Sequence, residues 1–188
     1  DLKLMICHRC DYRIPPPRRC PECASRLDYL GAGTQRVEEA VRNRFPDARV
    51  MRWDADAVRQ HGYRAMIARA EDHQVDVIVG TQMVSKGFDL PLVTTIGVVQ
   101  ADSMLYLPDF RSAERTFQLL TQVAGRAGRR GQGGTVVFQT YTPDHYAVQA
   151  ASRHDYQRFY AEEITFRERF RFPPLHRLAR FMIRADSQ

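Results

Sequence analysis

Apolar positions recur along the chain with two spacings. Val37, Val41 and Phe45 stand at i, i+4 and i+8, the stripe of an amphipathic helix expected over 34–45. Thr34 is a suitable N-cap behind the break Gly31-Ala32-Gly33, and Pro46-Asp47 closes the helix. A strand is expected at 48–52, and a second helix over about 59–72 carrying Met66, Ile67 and Ala70. Apolar runs at 75–80, 93–99 and 135–140 have the length and composition of buried parallel strands. Strands alternating with helices predict an α/β fold, a parallel sheet covered on both faces over about 33–141. Two further helices follow from Pro143-Asp144 to about 171, and 178–184 alternates like a half-buried strand with nothing after it to pair with. A short strand is expected at 27–30.

The segment from Ser112 ends in Gln122-Val123-Ala124-Gly125-Arg126-Ala127-Gly128-Arg129 and reads as one helix to that point. At 3.6 residues per turn Gln122, Arg126 and Arg129 share one face, while Phe117, Leu120, Ala124 and Ala127 share the other. Two guanidiniums on one face suit an anion with several oxygens, since each is a permanently charged planar fork of donors. Gly125 and Gly128 cost helix propensity, which implies that backbone or ligand comes close to them. The plain alternative is a solvated, Arg-rich helix end that complements the helix dipole.

A chain of 188 residues with 44% hydrophobic content can build one core and a small additional module. No apolar run approaches the ~18 residues of a membrane span, and the first residues lack the apolar segment of a signal peptide, so a cytoplasmic protein is expected. The net charge is +6, from 28 basic and 22 acidic residues, and all but two of the basic ones are Arg. That balance favours polyanionic partners contacted by forked donors, although a basic solvated surface has the same composition.

Cys7-x2-Cys10 and Cys20-x2-Cys23 form two knuckles separated by a short Pro-rich segment, a spacing suited to zinc thiolate coordination. Four thiolates leave no open position for water, so the expected role of zinc is structural. Arg9, Arg13, Arg18, Arg19 and Arg26 surround these knuckles and either touch phosphates or face solvent.

In a parallel sheet, ligands gather beyond the carboxyl ends of the strands, and the arginine cluster is expected near that rim. Two loops fall there. The first, after 75–80, runs Thr81-Gln82-Met83-Val84-Ser85-Lys86-Gly87-Phe88-Asp89-Leu90-Pro91 and offers a hydroxyl, a Lys, a Gly-permitted turn and a carboxylate. The second, after 93–99, begins Ala101-Asp102 and passes through Tyr106, Leu107 and Phe110, where simple packing is the favoured expectation.

Taken in order, the two CxxC knuckles, GTQRVEE, FPDARVMRWDAD, VGTQMVSKGFDLP, the strand ending in QAD, LPDFRSAERTFQLLTQVAGRAGR and VVFQTYTPDHYA closely resemble the C-terminal half of the replication-restart primosomal helicases, the PriA (primosomal protein N-prime) family. The resemblance covers essentially the whole chain, and its Q-x-x-G-R-x-G-R matches the last motif of superfamily 2 helicases. It implies a second RecA-like motor lobe over 31–172, preceded by a partial zinc module over 1–30 and followed at 173–188 by the start of a truncated C-terminal domain. Thr81 and Lys86 are implied as DNA-backbone contacts, Gln122, Gly87 and Asp89 as nucleotide contacts, Arg126 as a γ-phosphate contact and Arg129 as the arginine finger. Zinc is implied at Cys7, Cys10, Cys20 and Cys23.

The activity implied is ATP-dependent 3′ to 5′ unwinding of DNA in replication restart. The implied partners are forked and single-stranded DNA, single-stranded-DNA-binding protein and other primosome proteins, with a monomer in the bacterial cytoplasm at the nucleoid. Two departures qualify this. No G-x-x-x-x-G-K-[ST] and no D-E-x-H occurs, so ATP and Mg²⁺ must be held mainly by an absent first lobe and this stretch is expected to be inactive alone. The family also carries eight cysteines in two interleaved sites, and only four are present. These either share one ion or divide pairwise, Cys7 with Cys10 and Cys20 with Cys23. Two further readings stay open: a non-catalytic, zinc-bearing DNA-binding and primosome-assembly module, and a zinc hydrolase.

Overall fold

The computed structural model describes residues 5–6, 13–26, 33–82, 84, 93–128, 133–179 and 181. The expected strand at 27–30 lies outside them, as does most of the one at 178–184, and Leu178, Ala179 and Phe181 are in no strand. Residues 1–31 and 32–188 form two compact units. In the first, strands β1 (Met5–Ile6) and β2 (Arg13–Ile14) pair antiparallel.

The second unit is mixed α/β. Helix α1 (Thr34–Arg44) leads to β3 (Val50–Trp53), then α2 (Ala55–His61), α3 (Tyr63–Glu71) and β4 (Val77–Gly80). After them come β5 (Thr95–Val98), α4 (Ser112–Ala124), β6 (Thr135–Phe138), α5 (Tyr146–Ser152) and α6 (Tyr156–Arg169). Strands β3 and β4 pair in parallel, Val50 opposite Val77, and β5 and β6 likewise, Thr95 opposite Thr135. The expected parallel pairing is present, but among the described residues it forms two separate pairs rather than one continuous sheet.

Each pair has its own core. Met51, Trp53, Ala57 and Met66 are buried together beside β3 and β4. Phe117 and Leu120 of α4 pack with Ala147, Val148, Ala150 and Ala151 of α5 and Phe159 of α6. Phe117 and Phe159 lie face to face, ring centres 4.2 Å apart. A charged cluster ties these helices: Arg167 donates from Nε to Glu163 at 2.7 Å, from Nη2 to Glu114 of α4 at 2.8 Å and from Nη1 to the Pro173 carbonyl at 3.0 Å. Glu163 also accepts from the Tyr146 hydroxyl at 2.6 Å, and that bond, after burial, raises the Tyr146 phenol well above its usual range.

Several expected boundaries move for identifiable reasons. The helix foreseen over 59–72 is two helices, because Gly62 adopts φ +78° and breaks it. The first starts at Ala55, capped by Asp54, which accepts from the Ala57 amide at 2.9 Å. Thr34 is not an N-cap but the first helical residue behind Gly33, and its hydroxyl donates to Asp54 at 2.6 Å instead. The stripe Val37-Val41-Phe45 buries little, and Phe45 stays exposed.

The largest difference concerns α4, which ends at Ala124. Arg126 therefore lies beyond the helix, and no shared helical face exists for Gln122 and Arg126. The amides of Arg126 and Ala127 bond three residues back, to Val123 and Ala124, tightening the last turn. Gly128 then adopts φ +71°, and a Cβ there would overlap the Gly134 amide nitrogen and stand 2.8 Å from the Gly133 carbonyl carbon. Gly125, at φ −69°, has no such constraint, since a Cβ would meet only the Thr121 carbonyl at 3.5 Å and the Gln122 carbonyl at 3.7 Å.

The two glycines consequently predict opposite outcomes in urea unfolding. Gly128→Ala costs more than about 1 kcal/mol, from strain and overlap together. Gly125→Ala is neutral or stabilising within about 1 kcal/mol, because Ala is the better helix former.

Candidate functional site

The elements place the candidate residues at two opposite ends of the parallel strands. At the carboxyl end of β4 the chain exits through Gly80, where any side chain would overlap Val84 and stand 2.5 Å from the Trp53 carbonyl, and reaches exposed Thr81. The Thr81 carbonyl accepts from the Val84 amide at 3.0 Å, and Gln82 Nε2 donates to Met104 Sδ at 3.5 Å. The loop after β4 thus sits against the loop after β5. Lys86, Gly87 and Asp89 lie outside the described residues.

The loop after β5 is organised by Asp102, a buried carboxylate at 1% exposure. Its Oδ2 accepts from the Tyr141 amide at 2.7 Å, the Thr140 hydroxyl at 2.9 Å and the Thr142 hydroxyl at 3.3 Å. Burial pushes this carboxyl upward, but those donors, together with its own amide, outweigh burial and hold it below the ordinary carboxylate range. Asp102 thereby joins the exits of β5 and β6. The expectation of mere packing in this loop missed it, although the Thr-Tyr-Thr run after β6 supplies a detectable signal of donors in need of an acceptor.

Asp54 occupies the matching place after β3. It accepts from Thr34 and Ala57 and stands 3.0 Å from Arg52 Nε. Burial again pushes upward, and the Thr34 hydroxyl, the Ala57 amide and the Arg52 charge bring the carboxyl below its usual range. Arg52 in turn lies 3.6 Å from Glu38, which pairs with Arg42 at 2.9 Å.

Gln122 and Arg126 are at the other end. Gln122 is exposed in the last turn of α4, and Arg126 is half-buried just past it. The Gly128 amide donates to the Val93 carbonyl at 3.1 Å, and the Thr135 amide to the Thr94 carbonyl at 2.8 Å. This stretch therefore lies where β5 and β6 begin, not at the carboxyl rim expected for it. The reason is the crossover itself: α4 starts beside the exit of β5 and runs back to the start of β6. Arg129 lies outside the described residues.

In the first unit Cys20 and Cys23 form a tight turn. The Cys20 amide donates to the Ser25 carbonyl at 2.9 Å, the Ala24 amide returns to the Cys20 carbonyl at 2.9 Å, and Ala24 takes φ +57°. Both are free thiols. Cys23 Sγ lies 2.9 Å from the Ser25 hydroxyl, whose bond, followed by the Ser25 amide and Cys20, lowers the Cys23 thiol below its usual range. Two thiols on one turn, free of a disulfide and supported by neighbouring donors, fit half of a tetrahedral thiolate site. Cys7 and Cys10 lie outside the described residues, and among the described ones no three potential ligands come together. No helix among the described residues is long and apolar enough to cross a membrane.

No family model matches the chain. Curated relatives do. The chain is 48% identical over 175 residues to the replication restart protein PriA of Bacillus subtilis, covering 92% of this chain and 22% of that protein. It is 44% identical over 185 residues to that of Treponema pallidum, 98% of this chain and 28% of the relative. Against that of Thermotoga maritima it is 33% identical over 191 residues, 100% of this chain and 25% of the relative. The chain therefore spans about a quarter of the length of the relatives it matches.

Asp102 and Asp54 set an acid limit. Because their folded-state pKa values are lowered, the folded chain binds fewer protons than the unfolded one. Their contribution is complete above about pH 4 and is lost as pH falls below it. Asp102→Ala strands the Tyr141 amide and two threonine hydroxyls, costs about 2–3 kcal/mol in urea unfolding at neutral pH, and flattens the stability curve below about pH 4.

Proposed function

We propose, from the premise that this chain is homologous to one segment of the replication restart protein PriA, that it is the second motor lobe and partial zinc module of an ATP-dependent 3′ to 5′ DNA helicase acting in replication restart. The observation that carries the reading is the separation of the two candidate sites. Thr81 leaves one end of the strands, and Gln122 and Arg126 gather at the other, with a parallel strand pair and α4 between them. A machine that converts phosphate chemistry into movement along DNA needs two such sites on one stiff body.

In this reading Thr81 and Lys86 hold the sugar-phosphate backbone. Gln122, Gly87 and Asp89 meet the nucleotide, Arg126 the γ-phosphate, and Arg129 is the finger that neutralises charge as the phosphate leaves. ATP and Mg²⁺ are held mainly by a first lobe supplied elsewhere in the polypeptide. An arginine in that role contributes about 10³ to 10⁵ in rate, through preorganised positive charge where negative charge develops. Zinc is held by Cys7, Cys10, Cys20 and Cys23, either on one ion or in pairs completed by other cysteines, and stiffens the first unit without taking part in hydrolysis. The partners are forked and single-stranded DNA, single-stranded-DNA-binding protein and other primosome proteins. The setting is the bacterial cytoplasm, the protein a monomer.

Arg129→Ala in the full-length protein lowers DNA-stimulated ATP turnover by about 10³-fold or more while DNA affinity is kept. Unchanged turnover removes the finger role, whereas an unaltered full-length protein with no DNA-stimulated ATP turnover at all favours the non-catalytic assembly module. Cys20→Ser and Cys23→Ser reduce the zinc measured by atomic absorption, with ATP turnover falling only as far as folding does.

A further inference from the structure

The carboxyl end of the strands carries more apparatus than a backbone contact at Thr81 requires. Burying a carboxylate is costly unless donors replace its water, and Asp102 is buried at 1% exposure with its donors in place. Yet two tyrosines attached to it stand outside: Tyr106 is 59% exposed and Tyr141 69%. The Tyr141 amide donates to Asp102 Oδ2 at 2.7 Å, with Thr140 and Thr142 hydroxyls bonding the same oxygen on either side, and the Tyr106 hydroxyl stands 3.5 Å from it. Just beyond, the Leu107 carbonyl accepts from the Ser112 hydroxyl at 2.8 Å, so the loop is pinned on both sides of Tyr106. Gln100 holds φ +55° where β5 turns into this loop, a conformation uncommon outside glycine and typical of places where function fixes the backbone.

Two exposed rings on a pinned backbone lose little freedom when something stacks on them. We propose that Tyr106 and Tyr141 form a stacking platform for the unpaired bases of single-stranded DNA. This deepens the helicase reading and rests on it. The occupant follows from the neighbours. Gln82, adjoining Thr81, bonds Met104 in the loop between Asp102 and Tyr106, so the rings continue the edge on which the backbone contact lies. A net charge of +6 carried by arginine suits a polyanion. Stacking needs only a base's π-face, so it serves a protein that travels over any sequence.

The test is fluorescence anisotropy of the full-length protein with a labelled oligothymidylate, without nucleotide. Tyr106→Ala and Tyr141→Ala each weaken binding by about fivefold or more, and Tyr106→Phe and Tyr141→Phe bind like the unaltered protein. The slope of log affinity against log salt stays the same, since no phosphate contact is lost. Melting temperatures of the Tyr141 variants are unchanged, that ring being exposed, and those of the Tyr106 variants fall by no more than the loss of the long hydroxyl bond to Asp102, which Tyr106→Phe shares. Alanine variants that bind normally overturn the platform, as does a shallower salt slope. A lowered melting temperature with normal binding also overturns it, and shows instead that another domain of the same polypeptide covers the rings. A protein that binds the oligonucleotide but ignores both substitutions defeats the platform alone. One with no affinity for it defeats the helicase reading itself.

Discussion

A single buried carboxylate holds the β5–α4–β6 unit in register. Parallel strands cannot be joined by a hairpin, so their exits need some other tie. Asp102 and its principal donors are about forty residues apart in the chain, yet they meet on one oxygen. Asp54 plays the same part after β3, binding α1 through Thr34 and starting α2 through Ala57. At the opposite end, Arg49 and Asp76 close the starts of β3 and β4 with paired bonds of 2.9 and 2.7 Å, and the Arg49 guanidinium, then its amide, hold the Asp76 carboxyl far below its usual range. Directional polar bonds do the joining, while the two apolar cores supply the cohesion.

This construction explains why the candidate residues divide. A crossover helix must return the chain from the end of one strand to the start of the next, so whatever stands at the two ends of α4 is placed at opposite edges. Phe110 and Arg111 precede it and Arg126 follows it. The relatives that share this segment carry replication restart in their names.

Much of this was legible in the residues. Runs rich in Val and Ile marked β4, β5 and β6, but the burial expected of them is only partial: each run also carries polar residues, and β5 and β6 alternate exposed and half-buried positions. What was not legible depended on backbone angles or on distant partners. Gly62 inside a helical pattern costs little on paper, yet at φ +78° it divides the helix. The close approach of backbone expected at both Gly125 and Gly128 is found only at Gly128, where Gly133 and Gly134 come against it, and nothing in the local pattern tells the two apart. The Glu163-x-x-x-Arg167 pair resembles a solvated helix face, and only Glu114, across the fold, shows that it is buried. The Cys20 and Cys23 turn was legible from spacing alone, since a tight knuckle needs no long-range partner.

Helix α4 is fastened at its beginning by Arg167 through Glu114 and by Ser112 through Leu107, and past its last turn by the Gly128 bond to Val93. Thirteen residues make a rod of about 20 Å. A rod secured at both extremities neither bends nor slides easily, so it behaves as a connecting link: a tilt imposed where it begins arrives, with little loss, where it stops.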